Sequence, residues 1–207
     1  MLKIYHTPPT RSVRIVWLCE EMGLPYDSII VPFGEKPTEE FRAASPLGQL
    51  PAIADGDVRM IESIAIMQYL MARHGPTPLA VTADEKDFPT YLQFLEFGEA
   101  GLCAIGNALV ATKFRAPPEA QKNWTADYIL EAQRKRLGVV EQHLGDGREY
   151  LAADRFTAAD ISVGYAIGVF KHFGMIRRAA PVVESYFGRI TARAAYQKAT
   201  SQPAAAA

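Results

Sequence analysis

The sequence predicts an α/β N-terminal domain followed by an all-α C-terminal domain. Over the first eighty residues, short β-rich runs alternate with helix-forming segments, whereas beyond residue 83 only helix-spaced apolar patterns remain. The two regions are separated by Gly75–Asp84, which is rich in proline and small residues, as is typical of a linker. We therefore predict domains at residues 1–78 and 85–203.

Strands and helices alternate in the N-terminal region in the order β-α-β-α-β-β-α. A helix between the first two strands predicts that they pair in parallel, and Asp55-Gly56 predicts a tight antiparallel hairpin between the last two. These elements predict a small mixed sheet covered by helices. The predicted strands are Leu2–His6, Tyr26–Val31, Pro51–Ala54 and Val58–Ile61, and the predicted helices are Arg11–Met22, Thr38–Ala44 and Glu62–His74.

The C-terminal region is predicted to consist of four helices. Apolar residues recur there at helical spacing, and Pro117-Pro118 interrupts the pattern after the first helix. Residues 202–207 form a tail of low complexity. The predicted helices are Phe88–Lys113, Thr125–Leu144, Thr157–Phe173 and Val182–Thr200.

Composition and charge exclude several classes of protein. The chain has 207 residues, of which 49% are hydrophobic and 22% charged, and this balance excludes disorder for most of its length. Its formal net charge of −1 argues against a nucleic-acid coat or a polybasic membrane binder. We expect neither a nucleic acid nor a membrane as a partner.

The N-terminal segment and the cysteines predict a cytoplasmic protein. MLKIYHTPP lacks the apolar core of a signal peptide, and no apolar run is long enough to predict a helix that spans a membrane. Cys19 and Cys103 lie in apolar runs, which predicts buried, reduced thiols. The four histidines lack the spacing of a zinc site, so no metal is expected.

A bend is predicted at Ser45–Pro51, with the sequence SPLGQLP. Pro51 opens a strand, where its missing N–H would interrupt the ladder unless the segment lies at an edge. It is a candidate cis residue, because a cis X–Pro bond reverses the chain tightly. In that geometry the backbone N–H and C=O of Leu50 point outward, where an extended peptide can pair with them. The alternative is an ordinary trans proline.

The start of the third predicted helix combines an acidic residue with a helix N-terminus. The terminal N–H groups and the helix dipole favour an anion, so a ligand carboxylate can accept from Ser63 while Glu62 binds an ammonium group. Such a pair is typical of a site for a zwitterion. The alternative is an ordinary helix cap.

Three hydroxyl residues, Thr7, Thr10 and Ser12, follow the first strand. One can cap the first helix, and another can face a ligand above the carboxyl end of the strand. A thiolate bound there would receive an O–H hydrogen bond and the helix dipole, both of which lower the pKa of a thiol. The alternative is again a simple helix cap.

Together these segments resemble a cytosolic glutathione transferase of the bacterial, serine- or theta-like type. The resemblance rests on TPPTRSVRIVWLCEEMGLPY, SPLGQLPAI, the DG hairpin and IESIAIMQYL, in a region that is similar to thioredoxin-like domains. It also rests on FTAADIS at 156–162, which is similar to the capping box and hydrophobic staple of the family's helical domain. The match covers essentially residues 1–200 and implies the glutathione transferase fold.

The resemblance implies a glutathione site in the N-terminal domain. Leu50, before Pro51, would pair its backbone with the cysteinyl part of glutathione. Glu62 and Ser63 would hold the γ-glutamyl end, and Gln49 matches a position that reaches the glycyl carboxylate. Further positive charge would come from Lys36 or Arg11.

The residue that stabilises the thiolate would lie at the first strand–helix junction, where the family uses Tyr, Ser or Cys. We expect Thr10, then Ser12, then Thr7, because aligning TRS with the family's SRS pattern selects Thr10. Tyr5 is similar to the residue of the tyrosine classes, but the PPTRS pattern after it resembles serine-type members. Because no cysteine lies at the junction, chemistry through a protein sulfur is not expected.

The resemblance further implies a homodimeric enzyme that conjugates glutathione, its co-substrate, to small apolar electrophiles, which is a detoxification reaction. Phe94, Phe97 and Leu102 are candidates for lining the substrate pocket, and core packing is the alternative for all three. Two other functions stay open. One is glutathione-dependent reduction of disulfides or peroxides, and the other is a non-catalytic role in binding ligands or partners.

Overall fold

The computed structural model describes residues 1–176 and 179–201, and these form two compact units. The first unit contains Met1–Ala80 together with residues 191–201, and the second contains the described residues of Val81–Ile190. The low-complexity tail predicted at 202–207 lies outside the described residues. The predicted domain ranges of 1–78 and 85–203 stay predictions.

A four-stranded mixed sheet forms the centre of the first unit, as the sequence predicts. Its strands are ordered β2-β1-β3-β4, with β1 parallel to β2 and antiparallel to β3, and with β3 and β4 joined by the Asp-Gly hairpin. The strands are β1 (Leu2–His6), β2 (Tyr26–Ile30), β3 (Ala52–Asp55) and β4 (Val58–Ile61), and the helices among them are α1 (Ser12–Met22), α2 (Glu39–Ala44) and α3 (Ser63–His74).

Helix α1 packs against β1 and α3 and is buried over most of its length. Ile15, Val16 and Leu18 are fully buried, which accounts for the apolar run in the middle of this helix. Gly23 ends the helix in the left-handed conformation, with φ of 62°, and its N–H donates to the last turn. The predicted stop at this glycine is therefore confirmed.

The second unit is helical throughout its described residues, and its first predicted helix is divided into α and π segments. After α4 (Phe88–Glu96), the stretch Phe97–Cys103 is π-helical; after α5 (Ala104–Leu109), Val110–Arg115 is π-helical again. The Ser162 hydroxyl donates to the carbonyl oxygen of Leu95 over 2.7 Å, just before the first change of pitch. A side chain that takes a helix carbonyl is a recognised cause of such a change.

This long helical stretch is apolar enough, by length and composition alone, to cross a membrane. The span is Phe88–Lys113, and its most apolar window has a mean hydropathy of 1.3 and is 39% buried. Within its unit the stretch packs against two further helices, α6 (Trp124–Leu144) and α7 (Ala158–His172). Packing as a core helix accounts for the same composition.

The N-terminus of α7 carries the predicted capping box. The fully buried Asp160 carboxylate accepts hydrogen bonds from the Thr157 N–H (2.8 Å) and hydroxyl (3.1 Å). It also accepts from the Leu151 N–H and from the Tyr186 hydroxyl, both at 3.0 Å. One side chain therefore joins the start of α7, the preceding loop and α8 (Pro181–Thr191).

The prediction of one helix over Val182–Thr200 is wrong, because the segment forms two helices. Helix α8 ends at Thr191, and α9 (Ala194–Ser201) belongs to the first unit, where it packs against α1. Arg193, between the two helices, makes a bidentate ion pair with Glu21, with both N–O distances at 2.6 Å. Tyr196 packs edge-on against Trp17, with ring centroids 4.8 Å apart.

Replacing Asp160 by alanine is expected to lower the free energy of unfolding by about 3 kcal/mol, because buried donors lose their acceptor. Urea unfolding at about pH 8 measures this loss with the carboxylate ionised, since burial raises the pKa of Asp160 to about 6. The control is Glu131→Ala on the exposed face of α6, which should change stability by less than about 0.5 kcal/mol. Equal stability of the two variants would contradict a stabilising role for Asp160.

Candidate ligand site at the carboxyl end of strand β1

Sheet register brings three loop segments together in the first unit. Tyr5 of β1 pairs with Ala52 of β3, and Ala52 pairs with Ile61 of β4, so these residues form a row across the sheet. The segment after β1, the segment before β3 and the segment after β4 therefore meet at one end of the sheet. These segments contain the candidate residues that the sequence predicts at Thr7–Ser12, Gln49–Pro51 and Glu62–Ser63.

The three hydroxyl groups after β1 differ in their accessibility. Thr7 is fully buried, and its hydroxyl lies 2.6 Å from the carbonyl oxygens of both His6 and Val31. Ser12 is also fully buried, and its Oγ accepts from the Thr7 N–H over 3.1 Å. Thr10 is partly exposed, with its Oγ1 at 2.7 Å from Ser12 Oγ. Of the three residues, Thr10 alone is not buried.

His6, the last residue of β1, lies directly behind these hydroxyl groups. It is fully buried, and its Nδ1 is 2.7 Å from Ser12 Oγ. Burial lowers the pKa of His6 to about 4, and the backbone of Ala199 in α9 opposes this shift. The imidazole is therefore neutral at physiological pH.

The loop before β3 is closed by one buried side chain, Ser45. Its hydroxyl donates to the Gln49 carbonyl oxygen (2.8 Å) and accepts from the Gln49 N–H (2.9 Å). Gly48, at φ of 63°, makes the turn that allows this closure. The Gln49 side chain is exposed, and the Leu50–Pro51 bond is cis, as the candidate assignment from the sequence proposed.

Leu50 lies next to the sheet but outside its hydrogen-bonded ladder. The β1–β3 ladder begins at Ala52, two residues later. The ladder therefore does not use the N–H and C=O groups of Leu50, and an extended ligand can pair with them. The bonds Pro8–Pro9 and Gly75–Pro76 are also cis, which the sequence reasoning did not predict.

The residue before α3, Glu62, is exposed and has an unusual backbone conformation. Its φ is 74° and its ψ is 104°, in a region that non-glycine residues rarely occupy. Its side chain does not cap α3, so it does not accept from the N–H groups of the first turn. A strained acidic residue beside uncapped helix donors is characteristic of a ligand site.

Ser63, the first residue of α3, is held by a buried cation. The guanidinium Nη1 of the fully buried Arg14 donates to Ser63 Oγ over 3.0 Å. Because this oxygen accepts from Arg14, its own proton is directed elsewhere and can serve a ligand. Arg14 also adds positive charge beneath the N-terminus of α3, which favours an anion there.

The residues predicted to line a substrate pocket belong to the second unit. Leu102 is fully buried and Phe94 is 1% exposed, whereas Phe97 is partly exposed and contacts Phe94 edge-on. Phe94 also borders an open cavity of about 370 Å³, together with residues that include His143 and Arg148. Their part in substrate binding stays a prediction.

Both cysteines of the chain are buried. Cys19 is fully buried in α1, and burial raises the pKa of its thiol to about 12. Cys103 is buried as well, so the predicted burial of both thiols is confirmed. Within residues 1–176 and 179–201, no cluster of histidine, cysteine and acidic residues could hold a metal ion.

Sequence reasoning missed three residues that organise the site: His6, Arg14 and Ser45. His6 was considered only as a metal ligand, although its place at the end of a buried strand, just before the hydroxyl cluster, was a usable signal. Arg14 lies within the apolar first half of α1, where a charged residue indicates a buried partner. Nothing in the sequence indicates the role of Ser45, because that role depends on the loop folding back so that the Gln49 backbone reaches its hydroxyl.

The chain and its fold are similar to known proteins along most of their length. Models for the N-terminal and C-terminal domains of glutathione S-transferases match residues 4–78 and 103–194. Glutathione S-transferase 3 of Zea mays is 29% identical over an alignment 209 positions long, gaps included, which covers 95% of this chain and 92% of the relative. A glutathione transferase structure from Methylococcus capsulatus has a TM-score of 0.82 at 25% identity, covering 97% of both chains.

Another similar structure was solved with glutathione bound. It is a glutathione transferase from Burkholderia graminis with two glutathione molecules bound per subunit. Its TM-score is 0.83 at 26% identity, and the match covers 98% of this chain and 88% of that one.

The buried, neutral His6 predicts that the folded state loses stability in acid. Between pH 7 and pH 5 the unfolded chain, with an ordinary histidine pKa of 6.5, binds a proton that the folded protein does not. The free energy of unfolding should therefore fall by about 2 kcal/mol more in the wild type than in His6→Asn, which does not titrate. Urea unfolding of both proteins at the two pH values measures the difference. An equal loss in both would contradict a neutral buried imidazole.

Proposed function

The chain belongs to the glutathione S-transferase family, and from this premise we propose that it binds glutathione, keeps its thiol ionised and conjugates it to small apolar electrophiles. The proposal rests on one observation: three groups that suit the three parts of the tripeptide lie close together at one end of the sheet. They are an acid beside a helix N-terminus, an unpaired backbone segment and an accessible hydroxyl.

The γ-glutamyl end of glutathione is a zwitterion, and the start of α3 suits both of its charges. The exposed Glu62 carboxylate binds the ammonium group. The free N–H groups of the first turn and the Ser63 hydroxyl bind the carboxylate, and the buried Arg14 strengthens the positive potential. A reversed orientation would bring like charges together.

The middle and the far end of the peptide meet the loop before β3. The backbone of Leu50, next to Pro51, pairs with the cysteinyl residue in the manner of an added strand. The exposed Gln49 amide reaches the glycyl carboxylate, and Ser45 holds this loop in shape. Lys36 in its exposed loop and Arg11 at the start of α1 are the candidate cations for the same carboxylate.

We assign thiolate stabilisation to Thr10, with Ser12 and Thr7 behind it. Lowering a thiol pKa from about 8.5 to about 6.5 requires about 2.7 kcal/mol of preferential stabilisation of the thiolate. One hydrogen bond from a hydroxyl to the charged sulfur, added to the positive end of the α1 dipole, is of this size. Thr10 is the partly exposed hydroxyl at this helix end.

The acceleration then comes from the thiolate population and from holding both reactants together, rather than from a protein nucleophile. The buried, weakly acidic Cys19 supports this, because it excludes that thiol from the chemistry. We further propose that Phe97, which is partly exposed, contacts the electrophile, and that the protein acts as a cytoplasmic homodimer. Conjugation of reactive apolar compounds would make its role detoxification.

Replacing Thr10 by valine, which has a similar shape but no hydroxyl, is expected to raise the pKa of the bound glutathione thiol by about one to two units. Thr10→Ser keeps the donor and should keep the pKa near that of the wild type. Thiolate absorbance is titrated against pH with saturating glutathione, and turnover is followed with a chloronitroaromatic substrate and with a model disulfide.

Several outcomes of this experiment would contradict the proposal. If calorimetry shows no heat on adding millimolar glutathione, the binding function is wrong. If the bound thiol keeps its solution pKa in the wild type, thiolate stabilisation is wrong. Turnover of the disulfide without turnover of the chloronitroaromatic would identify a reductase instead.

Glu62→Gln is expected to weaken glutathione binding about 10- to 100-fold, because it removes the partner of the ammonium group. The thiol pKa of the fraction that still binds should stay unchanged, since this carboxylate acts at the other end of the peptide. Calorimetric titration measures the affinity, and Glu119→Gln, an exposed change in the second unit, is the matched control. Equal affinities for both variants would place the γ-glutamyl end elsewhere.

A further inference from the structure

His6, Ser12 and Thr10 form a continuous line of hydrogen-bonding atoms from the interior to the ligand site. His6 Nδ1 lies 2.7 Å from Ser12 Oγ, and Ser12 Oγ lies 2.7 Å from Thr10 Oγ1. Only the last of the three residues is accessible, since His6 and Ser12 are fully buried. The positions of the protons on His6 and Ser12 therefore decide whether Thr10 presents its hydroxyl proton or only lone pairs to a ligand.

The number of protons on Ser12 limits the arrangement to two forms. A serine hydroxyl has one proton to donate and two lone pairs to accept with. The Thr7 N–H already occupies one lone pair at 3.1 Å. Of the two close neighbours, His6 and Thr10, one must therefore receive the Ser12 proton and the other must donate to the remaining lone pair.

The two forms correspond to the two neutral tautomers of His6. With the proton on Nδ1, His6 donates to Ser12, Ser12 donates to Thr10, and the Thr10 proton is directed toward the ligand. With the proton on Nε2, Ser12 donates to Nδ1, and Thr10 must donate inward to Ser12. Thr10 then presents only lone pairs to the ligand site.

A thiolate distinguishes sharply between these forms. The first gives the sulfur a charge-assisted hydrogen bond, whereas the second places oxygen lone pairs against a negative charge. Nε2 has no partner within hydrogen-bond distance among the described residues, so a proton there would be a buried donor without an acceptor, which favours the Nδ1–H form. The backbone of Ala199, which raises the pKa of the ring, is the influence that opposes this preference. The ring also stays neutral, since burial keeps its pKa at about 4.

We propose, on the basis of the proposed function, that His6 is a positioning residue for thiol activation: with glutathione bound it carries its proton on Nδ1, and through Ser12 this turns the Thr10 hydroxyl proton toward the sulfur. His6 does not touch the ligand. Its contribution is to hold the direction of two hydroxyl groups.

The tautomer is tested directly by NMR on protein labelled with ¹⁵N-histidine and saturated with glutathione. Correlations from the ring protons to both nitrogens show which nitrogen carries the proton, and the His6 signals are identified by their loss in His6→Asn. Protonated Nδ1 is the expected result. A proton on Nε2 in the glutathione complex would overturn the assignment.

Two variants at position 6 test the consequence for the ligand. The asparagine amide can donate to Ser12 in place of Nδ1–H, so His6→Asn should keep the bound thiol pKa within about half a unit of the wild type. His6→Leu removes the donor and should raise that pKa by about one unit or more. The control is His172→Asn, an exposed change at the end of α7. An unchanged thiol pKa in His6→Leu would show that His6 does not orient the hydroxyls.

The outcomes separate the inference from the proposed function. Absence of glutathione binding in calorimetry of the wild type would contradict the proposed function. Binding with a lowered thiol pKa and a proton on Nε2 would contradict only the role of His6. Should His6→Leu fail to fold, the NMR result on the wild type still decides between the tautomers.

Discussion

The candidate site depends on one buried oxygen atom, Ser12 Oγ. It accepts from the Thr7 N–H, contacts His6 Nδ1 and contacts Thr10 Oγ1, so it joins the end of β1 to the start of α1. Because a hydroxyl has a single proton, these contacts are not independent of one another. The loop is thus held in one shape, and the direction of its only accessible hydroxyl is coupled to a residue in the interior.

The C-terminal end of the chain helps to create this environment. Helix α9 returns to the first unit and packs along α1, where Arg193 pairs with Glu21 and Lys198 pairs with Glu20. Its backbone at Ala199 interacts with the imidazole of His6 and raises the pKa of the ring, but burial of the ring is the larger effect and keeps it neutral. A segment almost two hundred residues away in the sequence therefore contributes to the electrostatic environment of a residue behind the candidate site.

In the proposed complex, the γ-glutamyl end of glutathione is recognised by N–H groups of the first turn of α3 rather than by a dedicated anion-binding side chain. Glu62 takes a strained positive φ and leaves the first turn of α3 uncapped. That arrangement costs folding free energy, and it keeps N–H groups available for a carboxylate. The buried Arg14 below Ser63 adds charge where the ligand cannot displace it.

Local patterns in the sequence determined the order of strands and helices, the mixed sheet, the Gly23 stop, the capping box of α7 and the segments that form the site, because each depends on residues close together in the chain. Only the tertiary structure decided the π segments after α4, the division of the last helix, and which of the three hydroxyls is accessible. These features depend on contacts between distant segments: Ser162 with Leu95, Arg193 with Glu21, and the Thr7 hydroxyl with Val31. Sequence spacing carries no record of such contacts, since burial and hydrogen-bond geometry arise only when the elements pack.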